Sequence, residues 1–113
     1  TVPIGYADGY PRVMSNSADM LVCGKRAKVV GRVCMDRCLI NVTGIDGVDE
    51  GSVVTVIGKD GDEFIPVDEV SALSNTINYE TVCLIGKRVP RIYHSGGKMI
   101  GHLNYIRMQE ELL

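Results

Sequence analysis

The run from Met20 to Thr43, MLVCGKRAKVVGRVCMDRCLINVT, does most to narrow the folds open to this chain. It is rich in Val, Ile, Leu and Cys, and β-branched side chains suit a pleated, half-buried surface. Gly24 and Gly31 interrupt it where a turn or bulge is expected. The run predicts two or three strands. Next comes the polar, glycine-containing loop TGIDGVDEGS, an apolar strand at Val53 to Ile57, and a hairpin through Asp60-Gly61 that returns at Phe64-Ile65. The sum is a β-meander.

Pro66 then introduces VDEVSALSNT, where Val67, Val70 and Leu73 recur at helical spacing and Asp68 and Glu69 suit the positive end of the helix dipole. One short helix is predicted there. TINYETVCLIGKRVPRIYH reads as a return to strand, with Pro90 confining its segment to an edge or a strand start. Ser95-Gly96-Gly97 is a turn, KMIGHLNYI a last strand, and RMQEELL a helical or frayed tail. The chain is therefore expected to be one mainly β domain, a small β-barrel-like fold with one short helix.

With 113 residues, 45% of them hydrophobic, the chain can bury a core. Its net charge is -2, and the cations Lys25, Arg26, Lys28, Arg32, Arg37, Lys87, Arg88 and Arg91 are dispersed among apolar residues, which gives no reason to expect a nucleic-acid partner. No apolar run approaches the roughly 18 residues of a membrane span and no signal peptide is visible, so a cytoplasmic location is expected. The four cysteines, Cys23, Cys34, Cys38 and Cys83, sit in strand-like runs and are expected to be free and buried. Cys34-x3-Cys38 is the one close pair, and His94 and His102 lie far from it in sequence, which speaks against zinc. The Asn41-Val42-Thr43 sequon reads as a strand-end coincidence.

Taken by themselves, the polar residues leave alternatives open. Tyr6, Asp8, Tyr10 and Arg12 crowd one turn. A phenol there can bind phosphate or move a proton, or can simply cap the turn with its hydroxyl in water. In GRVCMDR, a strand with Val33 and Met35 facing inward would put Arg32, Cys34 and Asp36 on the other face, as a surface ion pair or as an arginine held for an anionic substrate. Tyr79, between Asn78 and Glu80, suits a hydroxyl donor to phosphate or a packing residue. Lys87, Arg88 and Arg91 suit an anion site or a protected edge strand.

PIGYADGYPR, GKRAKVVGRVCMD, TINYE and RVPRIY occur here in the order in which the C-terminal domain of bacterial alanine racemases carries them. The chain resembles that domain from Pro3 to about Tyr93. The resemblance implies an isomerase that interconverts L- and D-alanine for the peptidoglycan of the cell wall. Its N-terminal β/α barrel, with the lysine that holds pyridoxal phosphate, and its catalytic tyrosine are expected outside these 113 residues. Residues 1–113 are then a C-terminal β domain truncated at its N-terminal edge and inactive alone. It would work within a homodimer on a small amino acid.

By the same resemblance, Tyr6 lines the substrate cavity, and Met35 offers its backbone N–H to the substrate carboxylate, with Asp36 following it. Arg12, Arg32 and Ile77 border the access corridor. Tyr79 is the gate tyrosine whose hydroxyl reaches the cofactor phosphate, and Arg91 matches a motif arginine with no direct catalytic act. No residue of the chain is expected to be catalytic. His94, His102 and the tail match no functional element. A serine racemase of the same family and a β-barrel binding module with no enzyme attached are the alternatives.

Overall fold

The computed structural model describes residues 1–107. Two 3-10 turns, Tyr6–Asp8 and Arg12–Met14, lead into strands β1 (Asp19–Val22), β2 (Lys25–Val30), β3 (Leu39–Asn41), β4 (Val54–Thr55), β5 (Gly58–Asp60) and β6 (Glu63–Ile65). Helices α1 (Val67–Leu73) and α2 (Asn78–Cys83) follow, then strands β7 (Arg91–Ser95) and β8 (Lys98–Leu103). The fold is mainly β, as the strand patterning predicts. A four-stranded sheet runs in the order β3-β2-β1-β4, and β5-β6 and β7-β8 form separate antiparallel pairs.

Position in the sheet explains the burial of each strand. β1 lies between β2 and β4. Met20, Leu21 and Val22 are all buried, so both faces are covered and the strand reads as a continuous apolar run. In β2, buried Ala27 and Val29 alternate with exposed Arg26 and Lys28, the period of a strand with one wet face. Val2, Tyr10, Met14, Ala18, Val33, Cys38, Ile65 and Val70 close the core around Met20, Leu21 and Val29.

The β1–β2 connection is Cys23-Gly24, with φ of +49° and +75°. Two left-handed residues give a turn whose twist matches the flanking strands, and a cysteine here stands where asparagine or glycine is usual. Asp60 Oδ2 accepts a hydrogen bond from Gly24 N at 3.0 Å and ties this turn to the β5–β6 hairpin. That hairpin forms where the Asp60-Gly61 signal predicts, with Asp60 paired to Glu63.

Arg26 ties the sheet to α1. Its guanidinium donates to both carboxylate oxygens of Glu69 at 2.9 Å, to the Phe64 carbonyl at 3.0 Å and to Asp19 at 3.3 Å. Glu63 lies 3.4 Å from its Nε. A planar fork satisfied on several sides is a task lysine cannot perform.

Several expectations are corrected. Residues 78–83, expected as strand, form α2, because the helix buries Thr81 against α1, where its hydroxyl lies 2.6 Å from Ser71 Oγ. Residues 31–37 are a loop rather than a strand: Cys34 N donates to the Arg37 carbonyl, turning the chain at Met35-Asp36. The strand expected from Val53 to Ile57 contracts to Val54–Thr55. Of the cysteines only Cys38 is buried; Cys23, Cys34 and Cys83 are exposed, lying at a turn, in a loop and at a helix end. The last strand ends at Leu103, and the RMQEELL tail beyond Arg107 lies outside the described residues.

Candidate functional site

The turn Gly5–Gly9 is a junction at which three segments meet. Its own shape comes from Asp8, whose Oδ2 accepts from Gly5 N at 3.0 Å while Asp8 N donates back to the Gly5 carbonyl. On one side, Tyr6 N donates to the Cys34 carbonyl at 3.0 Å and Ala7 N to the Met35 carbonyl at 2.9 Å. A Cβ on Gly5 would fall on the Cys34 oxygen and 2.5 Å from the Met35 carbonyl, so only glycine permits this approach. On the other side, Gly86 N donates to the Asp8 carbonyl at 3.0 Å. Gly9, with φ +111°, leaves room for the Leu84–Ile85 backbone: its Cβ would stand 2.7 Å from the Leu84 carbonyl carbon.

The junction brings together what the sequence scatters. Tyr6 and Met35 come to adjoining backbone, both exposed, and Met35 is 58% accessible rather than turned toward the core. Val33 alone of its loop is buried. α2, whose C-terminal end packs on Gly9, carries Tyr79 in its first turn, 75% exposed, with exposed Ile77 just before the helix. Among the described residues the Tyr79 hydroxyl has no hydrogen-bond partner, and neither does the Met35 N–H.

Arg12 and Arg32 are both exposed, and their segments are joined. Ser15 Oγ donates to the Arg12 carbonyl at 2.5 Å and accepts from Val33 N at 2.8 Å. The proposed Arg32–Asp36 pairing does not form, because Asp36 turns to its neighbour Arg37 at 3.3 Å. Arg91 is a clasp: its guanidinium donates to the carbonyls of Ile85, Gly86 and Val89 at 3.0, 2.6 and 2.7 Å, fixing the segment that rests on Gly9. Lys87 lies over the Tyr105 ring at 5.7 Å, and Arg88 is exposed.

Tyr10, grouped with Tyr6 by sequence, belongs to the core. It is 3% exposed and its hydroxyl has no partner. Burial, with smaller contributions from Cys38 and Asp19, raises its pKa well above the usual phenol range and removes it from proton transfer. Burial likewise pushes the Cys38 thiol up. His94 and His102 lie on the exposed β7–β8 hairpin. Among the described residues no cluster of three or more metal-ligating side chains forms, and no helix is long and apolar enough to cross a membrane.

The larger described cleft, about 620 Å³, is lined by Val2, Ile4, Ile40, Val42, Val54 and Val56 among others and includes none of Tyr6, Arg12, Arg32, Met35, Ile77 or Tyr79. The candidate residues are exposed instead, on the segments that meet at the Gly5–Gly9 turn or are tied through Ser15. Sequence reasoning gave no weight to Ser15, which ties the Arg12 and Val33 segments, or to Gly5 and Gly9, whose lack of a Cβ permits the two close approaches.

Fold and turn define a β domain that presents exposed tyrosine, arginine and apolar side chains beside one glycine-built junction. The description "Alanine racemase, C-terminal domain" fits residues 1–93, and the chain belongs to that family. It is 54% identical over 93 residues to the alanine racemase of Methanococcus maripaludis, covering 82% of this chain and 25% of that protein. It is 42% identical over 106 residues to alanine racemase 1 of Clostridium acetobutylicum, covering 94% of this chain and 28% of that one. The structure superposes on the alanine racemase of Bacillus anthracis, solved with bound L-Ala-P, with a TM-score of 0.87 and 44% identity over 94% of this chain and 27% of that one. It also matches the Bartonella henselae alanine racemase with covalently bound pyridoxal phosphate, at TM-score 0.72 and 36% identity, covering 81% of this chain and 26% of that one. The chain thus spans about a quarter of the length of these relatives.

Proposed function

We propose that this chain is the C-terminal domain of a pyridoxal-phosphate-dependent alanine racemase and supplies the wall, gate and carboxylate contact of its active site. The observation that carries this reading is the junction at Gly5–Gly9, which joins the Met35 loop and the Tyr79 helix end to one rigid turn. Alanine is favoured over serine because the relatives named above are alanine racemases.

The residues present fit a share of the cofactor. The exposed, unpartnered Tyr79 hydroxyl can donate to a phosphate oxygen, a charge-assisted bond. When bound, pyridoxal phosphate withdraws electrons from the amino acid's Cα, so that a proton there can leave and return. This chain's part is positional. The Met35 N–H holds the substrate carboxylate, Tyr6 lines the cavity, and Arg12, Arg32 and Ile77 border the path by which the amino acid arrives. The lysine and the tyrosine that move the proton belong to the rest of the protein, the tyrosine coming from the second subunit of a cytoplasmic homodimer.

The full-length protein is expected to interconvert L- and D-alanine in the presence of pyridoxal phosphate, followed by optical rotation, while the 113-residue chain does not. Tyr79→Phe should weaken cofactor retention about tenfold, the scale of one hydrogen bond to a charged group. Absence of turnover by the full-length protein would overturn the reading.

A further inference from the structure

The loop that carries Met35 is closed across its neck by Cys34 N to the Arg37 carbonyl and anchored on its far side by the two bonds between Val2 and Cys38. Its apex is held by the Gly5–Gly9 turn, through the Cys34 and Met35 carbonyls. Its base is held differently, by two side chains of the segment after the second 3-10 turn. Asn16 Oδ1 accepts from Gly31 N at 2.7 Å, and Ser15 Oγ accepts from Val33 N at 2.8 Å. The Ser15 hydroxyl gives its own proton to the Arg12 carbonyl, which leaves a lone pair for Val33. Asn16 is itself held at φ +57°, a left-handed conformation that asparagine adopts more readily than most residues. The two clamped amides flank Arg32, and Met35 lies two residues beyond the second of them.

We propose that Ser15 and Asn16 are positioning residues for the substrate carboxylate, setting the base of the 31–37 loop so that the Met35 N–H stands where the carboxylate binds. The inference rests on the reading that Met35 N–H makes that contact, and it assigns a role to two residues that touch no substrate. The far leg of the loop is fixed by the paired bonds between Val2 and Cys38 and its neck by Cys34 N to the Arg37 carbonyl, so slack would enter at the near leg, residues 31–33, and a displacement of the order of 1 Å at a positioning group is felt in binding. The clamp removes that slack at Gly31 and Val33. Because the same Ser15 hydroxyl joins the Arg12 carbonyl to the Val33 amide, it also fixes the spacing of the segments that launch Arg12 and Arg32.

The test uses the full-length enzyme. Ser15→Ala deletes one acceptor, and Asn16→Gly deletes the other while keeping the backbone freedom that φ +57° requires. In each variant KM for alanine should rise about tenfold with kcat within about twofold, the mark of lost binding rather than lost chemistry. The competitive inhibition constant of acetate, a carboxylate with no amine, should rise by the same factor. Hydrogen exchange at residues 31–33 should quicken by about tenfold or more while the melting temperature stays near that of the parent. Ser15→Thr, which keeps the hydroxyl, should restore all of these.

Unchanged exchange would show that the clamp is absent, and faster exchange with unchanged KM and acetate inhibition would show that it positions nothing; either overturns the proposal. Met35→Pro, which removes the N–H, separates this from failure of the underlying reading. If it weakens acetate inhibition while the Ser15 and Asn16 variants do not, the carboxylate contact stands and the clamp role falls. If it changes nothing, both fall. Should that variant not fold, hydrogen exchange of the Met35 amide in the parent enzyme with and without saturating acetate decides the same point: slowing by acetate keeps the contact, and no slowing overturns both.

Discussion

Residues Val2 to Val70 and the residues that follow them are held in different ways. Every member of the buried apolar cluster lies in the first stretch. After Val70, the buried residues among those described are Ser71 and Thr81, both polar, while Ile77, Val82, Leu84, Ile92, Met99 and Ile100 are exposed. The first region is stabilised by area removed from water and the second by hydrogen bonds: the Ser71–Thr81 pair and the Arg91 clasp. The difference teaches where rigidity at the site originates. Met35 and Tyr6 hang from the packed region, whereas Tyr79 stands on the tied one, joined to the other through Gly9.

The contrast can be broken most sharply in the core. Leu21→Ala, at a fully buried position of β1, should cost about 3 kcal/mol in urea unfolding, whereas Ile100→Ala on the β7–β8 hairpin should stay within about 0.5 kcal/mol. Equal losses would erase the distinction. Gly9→Ala attacks the joint between the regions; strain at φ +111° and a clash with the Leu84 carbonyl should cost about 2 kcal/mol. Faster hydrogen exchange in residues 78–86, with β1 and β2 still protected, would locate that loss at the joint.

Arg26→Met should cost about 1 kcal/mol at low salt, and less at high salt, because the guanidinium and its carboxylates are partly exposed and screened. A loss independent of salt would assign the effect to the Phe64 carbonyl bond instead. The smallest effect at neutral pH is that of Tyr10→Phe, within about 0.5 kcal/mol, since the buried hydroxyl forfeits no partner. Its signature is alkaline. The folded phenol titrates above the unfolded value of about 10, so the contribution of Tyr10 is complete below that pH and is lost as pH rises beyond it. Melting temperatures above pH 10 should fall less steeply for Tyr10→Phe than for the parent, and parallel slopes would remove Tyr10 from the account.

Strands β1 to β3 and the β5–β6 hairpin are legible in the sequence because their apolar runs and turn residues agree. Asn78–Cys83 was not: TINYETVC is rich in residues that favour strands, and helix won there through a contact ten residues away, between Thr81 and Ser71. The loop at 31–37 failed for a related reason. Val33 is buried as alternation requires, but the carbonyls of Cys34 and Met35 are taken by Tyr6 and Ala7, and no periodicity reports a hydrogen bond to residues nearly thirty positions earlier. Tyr6 and Tyr10 illustrate the limit for the site, since two tyrosines four residues apart in one turn end up one exposed and one in the core. Motif order singled out Tyr6, Met35 and Tyr79 as candidates; the Ser15 and Asn16 bonds at the base of the 31–37 loop, being made from side chain to backbone, left no pattern.

The hydroxyl pair between the two helices has a consequence beyond holding them. Ser71 Oγ is 2.9 Å from the Val67 carbonyl and Thr81 Oγ1 is 3.4 Å from the Ile77 carbonyl, with either hydroxyl able to donate to the other. The protons can therefore run from α2 toward α1 or the reverse, and the two directions differ only in which helix carbonyl is left to its backbone partner. Such a pair acts as a register mark rather than a weld. Thr81→Val would leave Ser71 with its own carbonyl to bond, so no stranded donor would report the loss, and α2 could slide a fraction of a turn along α1 with Tyr79 aboard. Tyr79 would then shift its place in a protein whose melting temperature hardly moves.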